Sequence, residues 1–485
     1  MLLSKIFKNT DVKVTNDIDI KKITIDSRLV KPGYLFVAIK GFEQDGHKYI
    51  ESAIENGASA ILIDEDRLED FKDVNAIVLT AKNTRFLLSP ISINFYENPS
   101  KNFKLIGITG TKGKTTTSFM IKKILEEDNK KVGLVGTVAC YSGKKKLMDS
   151  ERTTPEAIEL QEMFRTMADD GCEYVIMEVS SQSLKIGRVD GLKFEAGLFT
   201  NLSEDHISPH EHPTMKDYFL SKAKLFDMTK KAFCNVDESK SLELIDLKPN
   251  CKFGTYSIHK NSDKKATNIN ITNVLTTFNT VINNKEELVK ISIPGEFTVY
   301  NALGAISICE CLGCSTESII NGLKKVRVPG RSELVDNDLG LAIMIDYAHS
   351  PESLENILKA VKLYTKGRVI CLFGCGGDRD SRKRPKMAKI SGEIADYTII
   401  TSDNPRTEDP VKITNDVEEG IKGVTDNYEV IVDRREAIEK AVKMAKPDDI
   451  VVLAGKGHET YQIIGHDYLP FDEREIVENV IKKMS

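Results

Sequence analysis

The sequence predicts an α/β protein of three domains: a small N-terminal α/β domain (1–100), a central P-loop ATPase-like domain built on a parallel sheet (101–330), and a C-terminal Rossmann-like α/β domain (331–485). Three observations predict it. A chain of 485 residues holds about three domains at ~150 residues each. Short apolar runs recur with helical stretches between them, the pattern of parallel strands covered on both faces. A glycine-rich loop stands at a strand-to-helix junction at residues 109–116.

Taken in order, Lys31-Pro32-Gly33 makes a turn before a strand over 34–38, and Gly57 ends a helix before a strand over 58–63. The turn-favouring residues of 96–102 place a boundary near residue 100. From Lys104 the chain reads strand, glycine loop, then helix over 115–127 with Ile121, Ile124 and Leu125 on one face. Further strands are expected over 132–135, 174–179 and 194–200. Residues 257–293 alternate apolar with polar residues and read as an antiparallel excursion. After Gly330 five apolar runs recur, over 341–345, 369–373, 397–401, 429–432 and 450–454. Helices over 351–364 and 434–445 lie between them, so this region reads as a second doubly wound domain.

Lys plus Arg (68) against Asp plus Glu (73) leaves a net charge of −5, which excludes a global basic field for a nucleic-acid backbone or an anionic membrane. Any anion site must be local. Nine cysteines are an odd number and sparse for the length, the usage of reduced thiols in a cytoplasmic protein. No apolar run approaches the ~20 residues of a membrane span, and the charged N-terminus leaves no room for a signal peptide.

The strongest local signal is TGTKGKTT, residues 109–116. Its glycines let backbone N–H groups converge on phosphate oxygens at a helix N-terminus. Lys114 neutralises the β- and γ-phosphates, and Thr115 can ligate Mg²⁺. Gly110, Thr111, Lys112, Gly113, Lys114, Thr115 and Thr116 thus form a candidate ATP cradle, although Ile108 stands where the generic motif has its first glycine. The apolar run ending in Glu178, Ser180 and Ser181 places a carboxylate at a strand end, either a metal ligand or a capping group. Asp205 and His206 end the next strand segment in the same way. Lys222, on a helix expected over 218–226, reads by default as a solvated helix residue. In the last domain Arg379 follows a three-glycine loop, Asp403-Asn404-Pro405-Arg406 ends one strand and Gly455 to Glu459 another. This mixed-charge set suits a zwitterion.

The ordered series Asp26-Ser27-Arg28, Pro32-Gly33, TGTKGKTT, Thr153-Thr154-Pro155, EVSS, TNLSEDH, Asp346-Tyr347-Ala348-His349, GCGGDRD, DNPR and GKGHE resembles the Mur ligases, ATP-dependent amide-forming enzymes of peptidoglycan precursor synthesis. The resemblance covers nearly the whole chain and is greatest to members that add the third peptide residue. It implies that UDP-N-acetylmuramoyl-L-Ala-D-Glu is held by Ser27, Thr153, Thr154, Ser180 and Arg188, and that Asn301, Arg331 and Asp346 contact ATP. It implies catalysis by Lys114, Lys222, His206 and Glu178, with Mg²⁺ at Thr115, Glu178, His206 and a carbamate formed on Lys222. The amino acid, meso-diaminopimelate, is assigned to Arg379, Asp403, Asn404, Pro405, Arg406, Gly455 and Glu459. An arginine in DNPR is the feature that selects a second carboxylate, because a lysine substrate would leave the guanidinium unpaired.

The chain departs from the family pattern at Gln182, where a histidine is common, and at Lys112, where asparagine is common. A longer segment after His206 lets the carbamate assignment shift to Lys224. The implied chemistry is an acyl phosphate, then attack by the amine, in a monomer whose domains close on the reactants, without nucleic acid or membrane insertion. Alternatives are the same reaction with meso-lanthionine or L-lysine, a folylpolyglutamate-type ligase, or an ATP-binding switch that ligates nothing.

Overall fold

The computed structural model describes residues 1–41, 44–150, 152–205, 207–208 and 211–484. They divide into two compact units, Met1–Asp263 with Gly304–Ser315, and Lys264–Leu303 with Thr316–Ser485. The expected α/β class is the one observed.

The first unit holds two sheets. Four parallel strands lie in the order Lys22–Thr24, Tyr34–Val37, Ala58–Asp64 and Ile77–Ala81. Alternate side chains serve opposite faces: Leu35, Val37, Ala60 and Leu62 enter one core, and Phe36, Ile61 and Ile63 another. The first of these cores also takes in Ala157 and Ile158 of the helix Ala157–Asp169.

Eight strands of the larger sheet belong to this unit and run in the order Lys252–Ser257, Thr229–Asn235, Phe194–Phe199, Lys104–Thr109, Tyr174–Glu178, Val132–Val135, Ala139–Ser142 and Lys145–Asp149. The first six are parallel, and the last two form an antiparallel hairpin at the edge. Only the parallel part was expected. The hairpin's turn signal is a single glycine, Gly143 at φ +59°, among lysines. The helix expected over 218–226 is an α-helix over Met215–Ala223 continued by a 3₁₀ turn over Lys224–Asp227. It begins early because the Thr214 hydroxyl accepts the Asp217 N–H at 3.1 Å.

An ion cluster ties the two sheets of this unit. Glu156, nine-tenths shielded, caps the helix Ala157–Asp169 and accepts from Nη1 and Nη2 of Arg85, on the helix Thr84–Phe95, and from Arg188 Nε at 3.2 Å. Arg85 Nε also reaches the Ile186 carbonyl at 3.2 Å.

The second unit carries an antiparallel sheet of Thr267–Ile271, Thr276–Ile282 and Lys285–Ile291, the excursion expected from the sequence. Its principal sheet has the order Glu333–Leu334, Ala342–Asp346, Ile450–Ala454, Val369–Cys375, Tyr397–Ser402 and Tyr428–Val430, parallel apart from the short first strand. Cys371, Phe373, Ile400 and Val452 pack with the helices Pro351–Tyr364, Lys383–Ile394 and Pro410–Glu418. Ile370, Leu372, Ile399, Val451 and Leu453 pack on the other face with Arg434–Met444 and Glu473–Met484. Burial of both faces is why these strands read as continuous apolar runs.

Burial pushes the Glu156 carboxyl up, but the Arg85 hydrogen bonds and the charges of Arg85 and Arg188 outweigh it and hold the group below its usual range. A folded-state value below the unfolded one stabilises the fold above pH ~4.5 and loses that contribution as pH falls through the folded value. Glu156→Gln, which leaves two shielded guanidinium groups without their anion, should cost about 3 kcal/mol at pH 7. Urea unfolding of both proteins from pH 7 to 3.5 checks this: the gap should narrow in acid, and a constant gap would refute the assignment.

Candidate functional site

In the larger sheet of the first unit, register brings the chemistry-bearing loops to one edge. Ile108 lies opposite Glu178 and Thr109 opposite Phe199, so the strands carrying TGTKGKTT, EVSS and TNLSEDH end at one level. The glycine loop needs its glycines. Gly110 has φ +149°, and a Cβ there would stand 1.9 Å from Thr200 Oγ1; Gly113 has φ +84° at the start of the helix Lys114–Glu127. Thr200 Oγ1 donates to the Lys112 carbonyl (2.7 Å), while Asn201 accepts the Lys112 N–H (2.9 Å) and donates to its carbonyl (3.1 Å). Thr200 and Asn201 therefore hold the loop's shape, a role the sequence reading did not assign.

Lys114 Nζ donates to the carbonyls of Gly110 and Thr111, both at 2.9 Å. Lys222 Nζ donates to the same Gly110 carbonyl at 2.9 Å and lies over the Tyr218 ring, 4.2 Å from its centroid. The default expectation of a solvated lysine fails here, since Lys222 is 2% exposed. Burial first, then repulsion from Lys114, push its ammonium well below the usual amine range, against a weaker opposing effect of Asp205. Lys224, the alternative, donates instead to the Leu184 carbonyl at 3.4 Å.

Glu178 is fully buried. Its carboxylate accepts from Thr115 Oγ1 (3.0 Å), Thr137 Oγ1 (3.0 Å) and the Thr137 N–H (3.1 Å). Adjacent Gly136 leaves room for it, because a Cβ there would lie 2.3 Å from Glu178 Oε1. Thr137 also meets Thr153 Oγ1 at 3.1 Å, and Thr154 bridges the Glu178 carbonyl and the Ser180 N–H. Thr115, Glu178, Thr153, Thr154 and Ser180 thus form one hydrogen-bonded set, and Arg188 joins it through the Thr154 carbonyl at 3.1 Å. The oxygen donors at Thr115 and Glu178, at the first turn of the helix that follows the glycine loop, suit a hard divalent cation. His206 lies outside the described residues. Ser27 is buried in the 3₁₀ turn Ser27–Leu29 next to the N-terminal sheet.

Two further features of this unit escaped the sequence reading. His212, fully buried, joins Ser181 Oγ (3.0 Å) to Asp217 (2.7 Å), and Lys185 donates to the same Asp217 at 2.8 Å. Cys309, Cys311 and Cys314 have a Cys-x-Cys-x-x-Cys spacing and are not joined by disulfides.

In the second unit, three neighbouring strand ends interlock. A Cβ on Gly377 would meet the Pro405 carbonyl at 1.9 Å, and one on Gly455 (φ +118°) would meet Asp403 Oδ2 at 2.7 Å. Gly377 N–H donates to the Asn404 carbonyl at 2.9 Å. Arg406, at φ +51°, donates from Nη1 to the Gly377 carbonyl at 3.0 Å. The hairpin Tyr461–Ile464 with Asp467–Pro470 holds this loop from behind: Gln462 Nε2 donates to the Asp403 carbonyl (2.7 Å) and the Ile463 N–H to Asn404 Oδ1 (3.0 Å). Asn404 Nδ2 reaches Glu459 Oε2 at 2.9 Å. Beneath them Arg434, paired with buried Glu473, donates to the Ser402 and Ala454 carbonyls that end two of the strands. Arg379 is exposed at the edge of this set.

On the same sheet, Asp346 accepts the Ser332 and Ala348 N–H groups (2.8 and 2.9 Å), and burial raises its carboxyl despite Arg331. The Arg331 guanidinium lies 5.0 Å from the Tyr347 ring centroid. Its buried Nε finds no hydrogen-bond partner among the described residues. Asn301 is buried on the helix Glu296–Cys311.

Three family profiles match the chain: the Mur ligase family catalytic domain at residues 19–94, the Mur ligase middle domain at 108–309, and the Mur ligase glutamate ligase domain at 330–457. The chain belongs to the Mur ligase family. As a Mur ligase it is an ATP-dependent acid–amino-acid ligase. It is 46% identical over 475 residues to the UDP-N-acetylmuramoyl-L-alanyl-D-glutamate–2,6-diaminopimelate ligase of Clostridium botulinum, covering 97% of this chain and 96% of the relative. It is 44% identical to the enzyme of the same name from Clostridium tetani over the full length of both. A solved structure of a ligase of that name matches with a TM-score of 0.70 at 30% identity, covering 96% of this chain and 95% of that one.

Gly110→Ala should distort the glycine loop, since the added methyl and the left-handed backbone are both opposed there. ATP affinity by calorimetry should fall about tenfold or more, corresponding to ~1.4 kcal/mol. Unchanged affinity would count against this loop as the nucleotide cradle.

Proposed function

We propose that the protein joins meso-diaminopimelate to the γ-carboxylate of the D-Glu residue of UDP-N-acetylmuramoyl-L-Ala-D-Glu, using ATP, as a monomer in the cytoplasm. The observation that carries the reading is the convergence of Lys114 and Lys222 on the Gly110 carbonyl beside the Thr115–Glu178 pair. That is an arrangement for managing the charge of a transferring phosphoryl group. The names of relatives 44–46% identical support the choice of substrates.

In this reading the three motif-bearing regions, 1–100, 101–330 and 331–485, take the UDP-sugar, ATP and the amino acid. Ser27 holds the uridine end. Thr153, Thr154, Ser180 and Arg188 orient the dipeptide so that its carboxylate attacks the γ-phosphate in line. Lys112 and the remaining loop amides seat the triphosphate, and Lys114 offsets charge on the transferred group. Arg331, Asn301 and Asp346 hold the nucleoside side, where the unpartnered Arg331 Nε supplies a donor. Thr115 and Glu178, with His206, would hold Mg²⁺, which when bound supplies positive charge to the phosphoryl oxygens. Lys222, buried and with its ammonium disfavoured, is suited to accept CO₂ as a neutral amine and to present a carboxylate in its place. The acyl phosphate then reacts with the amino group of diaminopimelate, and phosphate leaves. Asp403, Asn404, Gly455 and Glu459 receive the zwitterionic end of that substrate, while Arg379 and Arg406 receive carboxylate, Arg406 the distal one.

Product mass after incubation with ATP, the UDP-muramoyl dipeptide and a panel of diaminopimelate, lanthionine and lysine tests the reading. Diaminopimelate should be incorporated, and preferential incorporation of either of the others would overturn the choice. Arg406→Ala should raise KM for diaminopimelate about tenfold or more and leave that for ATP within about twofold. Equal changes would argue against the pocket. Lys222→Ala should abolish most turnover, with partial recovery in added small carboxylates, and normal turnover would place the carbamate elsewhere.

A further inference from the structure

Lys456 follows Gly455 at the end of the strand Ile450–Ala454 and, like Arg434 and Glu473 beneath the same loops, is fully buried. Its ammonium donates to Asn404 Oδ1 at 3.0 Å and to Glu459 Oε2 at 3.2 Å. The rings of Tyr461 and Phe471 lie 5.7 and 5.9 Å from Nζ at their centroids. Asn404 Oδ1 also accepts the Ile463 N–H, so both donors to that oxygen fix which way the amide points, and Nδ2 is directed onto Glu459 Oε2. Glu459 Oε2 is thereby held from two sides, which leaves Oε1 for a further donor.

We propose that Lys456 is a positioning residue for the incoming amino acid: without touching it, this ammonium locks Asn404 and Glu459, from two different strand ends, into the one geometry that receives the substrate's ammonium group. The inference rests on the reading above that this pocket takes the amino acid. Charge alone predicts the opposite effect. Asp403 and Glu459 are both carboxylates near Lys456, so removing a neighbouring cation strengthens their attraction for an ammonium group and lowers KM. Removing a lock on their position lowers the fraction of enzyme in the competent geometry and raises KM. The sign of the change therefore separates the two.

The experiment uses the full chain with ATP, the UDP-muramoyl dipeptide and meso-diaminopimelate, comparing Lys456→Met, Glu459→Gln and the double variant. Lys456→Met keeps an unbranched apolar stem of nearly the same length and removes the ammonium. Its KM for diaminopimelate should rise about tenfold, with KM for ATP and for the nucleotide sugar within about twofold of the parent. The double variant should be no worse than the poorer single variant by more than about twofold, since Lys456 acts through Glu459. An unchanged or lowered KM in Lys456→Met, or a rise common to all three substrates, overturns the proposal while leaving the pocket assignment in place. An unchanged KM in Glu459→Gln overturns the pocket assignment and the inference with it. Should Lys456→Met fail to give a cooperative thermal transition, Lys456→Gln, which keeps a donor at shorter reach, is read by the same criteria.

Discussion

The Gly110 carbonyl is the point on which the glycine-loop end of the larger sheet depends. Two lysines from different elements donate to this one oxygen, Lys114 from the helix that follows the loop and Lys222 from a helix more than a hundred residues later. Two ammonium groups brought this close repel one another, and the low-dielectric surroundings of Lys222 strengthen that repulsion. The repulsion is relieved when Lys222, the more deeply buried of the two, gives up its proton, the neutral state in which the reading above has it accept CO₂. The geometry of the pair is possible only because residue 110 lacks a Cβ, which lets Thr200 and Asn201 close over the loop.

The same logic of close backbone approach shapes the second unit. Gly377 and Gly455 admit neighbouring loops at distances that any side chain would block. What binds the pocket into one piece is polar rather than apolar: Arg434 grips two strand-end carbonyls, Gln462 a third, and Lys456 joins Asn404 to Glu459. A polar network buried beneath a site restricts the positions of its members more narrowly than hydrophobic contact does, because hydrogen bonds are directional and an unmade one is costly. Asp403, Asn404 and Glu459 inherit their precision from this layer.

Much of the fold was legible because both faces of the parallel strands are buried. The helix Pro351–Tyr364 was placed to the residue, since Ser350 caps it, Pro351 starts it and its apolar positions recur at helical spacing. The hairpins Ala139–Asp149 and Tyr461–Pro470 were not read, because each is stabilised by pairing with what lies beside it more than by its own turn residues. Glycine loops announced themselves at 110, 377 and 455. The Thr137 contacts with Glu178, and the His212 link between Ser181 and Asp217, carried no local signal, being side-chain contacts between segments 31 to 41 residues apart.

Sequence by itself determined the α/β class, the order of the motifs and the residue types available for phosphate, carboxylate and ammonium recognition, since these follow from periodicity and from the chemistry of each side chain. Tertiary structure decided which of those residues work together. Lys222 is the clearest case: its helix position says solvated, and only the packing of Tyr218 and the approach of the glycine loop make it a buried amine. Lys456 is the converse, a residue inside a recognised motif whose direction, inward to Asn404 and Glu459, no spacing rule could supply. The reason is common to both. Burial and hydrogen-bond direction are properties of neighbours distant in the chain, and a local pattern does not contain them.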